Sequence, residues 1–326
     1  MSKLDLTIAL ERYDRHVPFF MGLLKSPSNL TLRPLEVGMA AQHRDGNNRH
    51  ARFLKDREFD IAETSLSSHI IATFRGEPFV GVQVFPRRLF SQNHIFVRKD
   101  SGIVQPQDLV GQRVMIRSFQ VTMTVLALGD LKFEYGTPWE DIHWVVETEE
   151  VLPLNDQKGI KVEQLPQGAD VGQFLLDGAA DAMIYPHPPP SVLEARDEIR
   201  PLFPDRKAEA LSYFRKHSYY PIMHLIAIQR HLVEENSWLP RTVMNMWNDA
   251  KALSTEFYDD PGYSQIAFGR NAFETQEETM ARDMWQSGLA ANRLNLENFV
   301  RYSFDQGLIE EPLDVDLLFD PSTLDT

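Results

Sequence analysis

Short apolar runs alternate with amphipathic stretches of helical length along most of this chain, and no other feature constrains the fold as much. Runs at 4–10, 30–37, 79–85, 94–97, 113–116, 142–146, 160–164, 182–185 and 223–229 read as strands. Stretches 47–55, 65–74, 121–131, 171–178, 205–216 and 238–257 read as helices. Strand and helix in turn is the pattern of an α/β protein with mixed, mostly parallel sheets, because a parallel connection needs a crossover long enough to hold a helix. With 326 residues the chain exceeds one small core and suits two lobes.

The middle of the chain carries a complete set of elements of its own. Pro106-Gln107-Asp108-Leu109-Val110-Gly111 is a short helix stopped by glycine, and Arg113-Val114-Met115-Ile116 is a strand that feeds the next helix. Gly172–Gly178 is a second glycine-stopped helix, followed by the strand Asp181-Ala182-Met183-Ile184. Residues 99–202 therefore read as an inserted lobe, with 1–98 plus 203–326 as the discontinuous other. Two crossings make a hinge, and the ligand is expected in an interlobe cleft at strand C-terminal ends. Beyond Val233, Trp238–Tyr258 and Glu274–Trp285 read as packing helices, and the acidic tail from Glu310 as a surface strap.

Composition narrows the function classes. The net charge of −14 argues against a nucleic-acid partner and against anionic membranes, since both need a concentrated basic face. A local arginine cluster can still hold a small anion. The chain has no cysteine, which removes disulfides, thiolate nucleophiles and thiolate metal ligands. Met1-Ser2-Lys3 leads into the first strand without a basic and then apolar leader, and no run is long enough to span a bilayer. The expectation is a cytoplasmic protein, with a homo-oligomer left open.

Two stretches carry the candidate chemistry. In Phe59-Asp60-Ile61-Ala62-Glu63-Thr64-Ser65-Leu66-Ser67-Ser68 a strand end runs into hydroxyls that can cap the next helix. Such a junction offers O–H and backbone N–H groups together to a carboxylate. Tyr219-Tyr220-Pro221-Ile222-Met223-His224 places an imidazole at the mouth of a strand, where it can serve as a proton donor. Arginines follow apolar strands in Tyr13-Asp14-Arg15 and Phe85-Pro86-Arg87-Arg88, the positions for carboxylate clamps. His94, His143, His187 and His224 show no metal-ligand spacing, and the rigid loop Tyr185-Pro186-His187-Pro188-Pro189-Pro190 reads first as a connector. Nucleotide-binding glycine motifs and the G-x-S-x-G elbow of serine hydrolases do not occur.

Taken together these pieces resemble the 4,5-dihydroxyphthalate decarboxylases, which are similar to type II periplasmic binding proteins. The resemblance runs nearly end to end. It rests on Tyr13-Asp14-Arg15, Glu58-Phe59-Asp60-Ile61, Glu63, Ser65-Leu66-Ser67-Ser68, Val84-Phe85-Pro86 with Arg88, Asp108-Leu109-Val110-Gly111, Glu134-Tyr135-Gly136, Leu202-Phe203-Pro204, Pro221-Ile222-Met223-His224 and Gln306-Gly307-Leu308. The chain departs from the family pattern at 117–124 and at Arg87. The resemblance implies a two-lobed periplasmic-binding-protein-like fold and decarboxylation of a hydroxylated aromatic acid by ring protonation and loss of carbon dioxide. His224 would be the acid, with Glu63 orienting it or binding the catechol. Tyr13, Arg15, Ser65, Ser67, Ser68, Arg88, His94, Gln120 and His187 would hold the substrate. No cofactor is needed for that chemistry, and a divalent metal is left open. The rival readings are a non-catalytic binding protein for a small carboxylate and a different lyase on the same fold.

Overall fold

The computed structural model describes residues 3–39, 44–154, 159–263 and 265–326, so Met1 and Ser2 lie outside it. The strands are β1 (Leu4–Leu10), β2 (Leu30–Glu36), β3 (Ile61–Ser65), β4 (Phe79–Arg88), β5 (Ile95–Arg98), β6 (Arg113–Ile116), β7 (His143–Val146), β8 (Lys161–Gln164), β9 (Ala182–Ile184), β10 (Ile199–Pro201) and β11 (Ile222–Gln229). Among the described residues they form two mixed sheets, in the orders β2-β1-β3-β11-β4 and β10-β5-β9-β6-β7-β8. In the first, β1 runs parallel to β2 and β3, while β11 is antiparallel to β3 and β4. In the second, β9, β6, β7 and β8 are mutually parallel, and β5 is antiparallel to β9 and β10.

The chain divides into two compact units, one of residues 1–88, 222–297 and 313–326 and the other of 89–221 and 298–312. Strands β5 and β10, which lie at the two expected crossings, pair with each other in the second sheet. The first unit packs its sheet on the helix Leu239–Thr255, whose Val243, Met246, Trp247 and Ala250 fall on one helical face and are buried with Ile8, Val82 and Ile226. Each Val, Ile or Met among them removed from water contributes about 1.5–3 kcal/mol. The second unit centres on Met115, Val145, Leu175 and Met183. No helix among the described residues is long and apolar enough to cross a membrane.

Local chemistry explains most boundaries. Ser65 ends β3 and caps the helix Leu66–Phe74, its Oγ accepting from the Ser68 N–H at 3.4 Å. β3 is the strand whose end was expected to run into the capping hydroxyls, and all five of its residues are buried. The sequence reading passed over β10 because Ile-Arg-Pro has no strand signature. The helix expected at 274–285 is instead Gly269–Thr279 and buries none of its residues. Asp283 accepts from the Trp285 N–H at 2.9 Å, a local turn that competes with helix there. The tail is more than a surface strap: Val315, Leu318 and Phe319 are buried, and Phe319 bridges to Gly81 of β4. A Cβ at Gly81 would lie 2.6 Å from the Leu318 carbonyl oxygen, so the close approach needs glycine.

Candidate active site

Strand register within the first unit builds the site. β11 pairs β3 so that His224 stands opposite Ser65 and Ile226 opposite Glu63, which puts Glu63, Ser65 and His224 on one face of the sheet. The diagonal neighbours meet: His224 Nδ1 lies 2.5 Å from Glu63 Oε1. On the other side β11 pairs β4 irregularly, with His224 opposite Arg87 and register shifts on both sides of it. Pro86 sits in that irregular stretch and has no N–H to give to a ladder. Such bulges re-aim side chains, and Arg87 is near enough for its charge to disfavour protonation of the imidazole.

Glu63 is fully buried and accepts from several directions. Besides His224, the Tyr13 hydroxyl donates to Oε1 at 3.1 Å, the Glu11 N–H donates to Oε2 at 3.1 Å, and Arg49 Nη2 lies 3.3 Å from Oε1. Arg49 is also fully buried, its Nε donating to the Glu63 carbonyl at 2.7 Å and its Nη1 to the Val37 carbonyl. Burial alone would raise the Glu63 carboxyl. The Arg49 guanidinium and the His224 hydrogen bond outweigh it and hold the group well below the usual carboxylate range. Glu63 is therefore a resident anion, and its acceptor sites are taken up by the protein.

His224 is 8% exposed. Burial lowers its imidazole to about 4; the Glu63 hydrogen bond and charge oppose the shift, and the Arg87 and Arg49 charges add to it. The ring is thus neutral near neutral pH before a ligand arrives. With Nδ1–H donated to the carboxylate, Nε2 is the nitrogen left for proton exchange. Tyr13 is likewise held as a neutral phenol, because burial first and the Glu63 charge second raise it.

Among the expected residues, the structure brings Glu63, His224, Tyr13 and Ser65 together. The Ser65 and Ser67 hydroxyls lie 2.9 Å apart, and both Ser67 and Ser68 are buried at the start of the capped helix. Arg15 is committed locally. Its Nε and Nη2 both donate to the Pro86 carbonyl, the former at 2.7 Å, and its guanidinium lies between the Tyr13 and Trp285 rings at 4.2 and 3.9 Å. Arg88, expected as a substrate clamp, bonds within its own unit. Its guanidinium turns to Asn292 Oδ1 at 2.6 Å and the Gln286 carbonyl at 3.2 Å, because neighbouring residues of a strand point to opposite faces. Arg87 is the one beside His224.

His94, Gln120 and His187 belong to the second unit. The Gln120 amide bonds both the N–H and the carbonyl of Leu152, at 3.0 and 3.1 Å, which holds a loop together instead of offering a free clamp. His94 Nδ1 lies 3.1 Å from the Tyr185 carbonyl oxygen, and His187 is exposed. Arg49 and His50 are absent from the residues expected from sequence, and Arg87 was named there only within the Arg87-Arg88 pair and as a departure from the family pattern. A signal existed for the first two. In the helix Arg49–Leu54, Arg49 and His50 stand four residues before the buried Phe53 and Leu54, so polar side chains share the core-facing side. Among the described residues no group of three or more His, Asp or Glu side chains is placed to hold a metal ion.

No family profile matches the chain. It is 28% identical to a 4,5-dihydroxyphthalate decarboxylase of Comamonas testosteroni, an alignment covering 100% of this chain and 99% of that one. It is 30% identical to a 4,5-dihydroxyphthalate decarboxylase of Pseudomonas putida over 67% of this chain and 84% of the relative. The chain belongs to the 4,5-dihydroxyphthalate decarboxylase family. This member of the family shares its fold with periplasmic sulfonate-binding proteins. The aliphatic sulphonate binding protein SsuA of Escherichia coli aligns with TM-score 0.55 at 15% identity, covering 98% of this chain and 92% of that one. The alkanesulfonate-binding SsuA of Xanthomonas axonopodis pv. citri aligns with TM-score 0.58 at 14% identity, covering 98% and 99%. At those identities the likeness concerns architecture alone.

Proposed function

We propose that this chain is an aromatic carboxy-lyase that converts 4,5-dihydroxyphthalate to protocatechuate and carbon dioxide, with His224 delivering the proton. The observation that carries the reading is the Glu63–His224 pair at 2.5 Å, facing Arg87 across the sheet. A phenol para to the departing carboxylate pushes electron density onto the ring carbon that bears it. With the phenol ionised, protonation of that carbon by the imidazolium gives a dienone. The bond to the carboxylate then breaks, its electron pair restores the aromatic ring, and carbon dioxide leaves. The proton on the ring carbon is the one that replaces the lost carboxyl.

Each residue has a defined task. Glu63 is a positioning residue that fixes the tautomer of His224. Arg87 pairs with the carboxylate that stays, and Tyr13 and the Ser65–Ser67 hydroxyls close the polar surround. A substrate with two carboxylates brings negative charge next to a neutral imidazole and so raises its pKa, which arms His224 on binding. Pure protein incubated with 4,5-dihydroxyphthalate should release carbon dioxide and protocatechuate. His224→Gln should still bind the compound by calorimetry and lose roughly 10²–10⁴-fold in turnover. Wild type that binds the compound and releases nothing would make the chain a carboxylate-binding protein, and a fully active Gln variant would move the acid elsewhere.

A further inference from the structure

A backbone donor fixes which ring nitrogen of His50 carries the proton. The Ser65 N–H donates to His50 Nδ1 at 3.1 Å. A backbone N–H can only donate, so Nδ1 carries no proton and the ring hydrogen sits on Nε2. The ring is 6% exposed and stands edge-on to His224, with centroids 4.9 Å apart and planes at 77°. Its first helical turn is immobilised by Arg49, which is anchored to the Glu63 and Val37 carbonyls. Since His224 pairs with Ser65 in the strand register, one residue of β3 sets the position of both imidazoles.

Resting on the decarboxylase reading, we propose that His50 is a substrate-contacting residue whose Nε2–H donates to the phenolic oxygen of the hydroxylated ring. That oxygen becomes the dienone carbonyl when the ring carbon is protonated. It receives the electron pair when the carbon–carbon bond breaks, so a fixed donor there stabilises charge as it develops. No proton is transferred by His50 and no other reactant is consumed.

The surroundings keep the ring in that one state. Burial first, then the neighbouring His224, Arg49 and Arg87, disfavour an imidazolium at His50, and Glu63 alone opposes them; the group lies well below the ordinary imidazole range. A charged ring would also set an Nδ1–H against the Ser65 N–H. The two histidines thus divide the work: one able to gain and lose a proton, the other held as a permanent neutral donor.

Two substitutions separate this role from a structural one. His50→Asn keeps an acceptor near the Nδ1 position for the Ser65 N–H and removes the Nε2–H. His50→Gln supplies an amide donor near the Nε2 position. The Asn variant should fold, as judged by circular dichroism and melting, and lose about 10²–10³-fold in kcat on 4,5-dihydroxyphthalate with KM little changed. The Gln variant should recover part of that loss. Nitrogen-15 spectra of the wild type should show His50 as the Nε2–H tautomer from neutral pH down to mildly acidic conditions. An active wild type with an equally active Asn variant, or an Nδ1–H tautomer or imidazolium at neutral pH, would overturn the assignment of His50 alone. Wild type that releases no carbon dioxide from the compound would overturn the reading on which the assignment rests.

Discussion

Exchanging Glu63 for Gln tests the centre of the site with almost no change of shape. The carboxylate accepts from Glu11 N–H and Tyr13 OH at 3.1 Å each and from His224 Nδ1 at 2.5 Å, with Arg49 Nη2 at 3.3 Å. Gln keeps one acceptor oxygen and turns an amide donor toward groups that already donate. Arg49 is left as a buried cation whose nearest remaining carboxylate is Glu11 at 3.5 Å. Removing one partner of a buried pair costs about 3–5 kcal/mol, because the other charge stays desolvated and uncompensated. Urea titrations at neutral pH should show a loss of that size.

The pH dependence carries a sign. The folded-state pKa of Glu63 lies well below the ordinary 4.5, so its contribution is complete above that value and is lost as pH falls through the folded value. The gap between wild type and Glu63→Gln should therefore stay constant down to about 4.5 and close below it. Turnover should fall as well, since the variant no longer fixes the His224 tautomer with an anion. A stability loss under about 1 kcal/mol, of the size a surface pair gives, would refute the paired buried carboxylate. So would two pH curves that stay parallel through the acid range.

Arg87→Met should raise KM by the equivalent of about 2–5 kcal/mol, the cost of losing a buried charge-assisted contact, while Arg88→Met should weaken folding and leave KM near wild type. Steady-state kinetics on both variants decide between the two arginines, and equal KM effects would contradict the strand register. In the second unit, Asp130 is buried and accepts from Ser91 Oγ, Tyr302 OH and Tyr213 OH at 2.6, 3.1 and 3.2 Å. Burial raises its carboxyl to about 7, against the hydrogen bonds. A raised folded pKa contributes stability that is complete below the ordinary 3.8 and fades as pH rises to about 7. Asp130→Asn should remove that decline, so its stability relative to wild type should grow across this window in urea titrations.

Local signals in the sequence were read well. Ser65 is where a capping serine was expected, because a cap is satisfied by an N–H three residues away. The glycine after Leu109-Val110 takes the left-handed conformation, φ +76°, that a stop requires. His224 was singled out as an imidazole beside an apolar strand. Arg87 and Arg88 show where such reading stops. Strand alternation says that the two point to opposite faces, but the choice of face depends on the irregular pairing around Pro86. Gln120 shows the same limit, since its partner Leu152 is 32 residues away.

The sequence by itself determined the alternation of strand and helix, the absence of thiolate chemistry and the junction at which β3 caps its helix, since each depends on residue type or on neighbours within a turn. It also held enough scattered short motifs to point to the family. Tertiary structure alone decided which polar groups share one face. Glu63 and His224 are 161 residues apart and meet only through the pairing of β3 with β11. The helix Arg49–Leu54 brings His50 against Ser65, and the pairing of β4 with β11 sets Arg87 opposite His224. Charge, tautomer and proton affinity follow from burial and from partners distant along the chain, and those exist only once the sheet has formed.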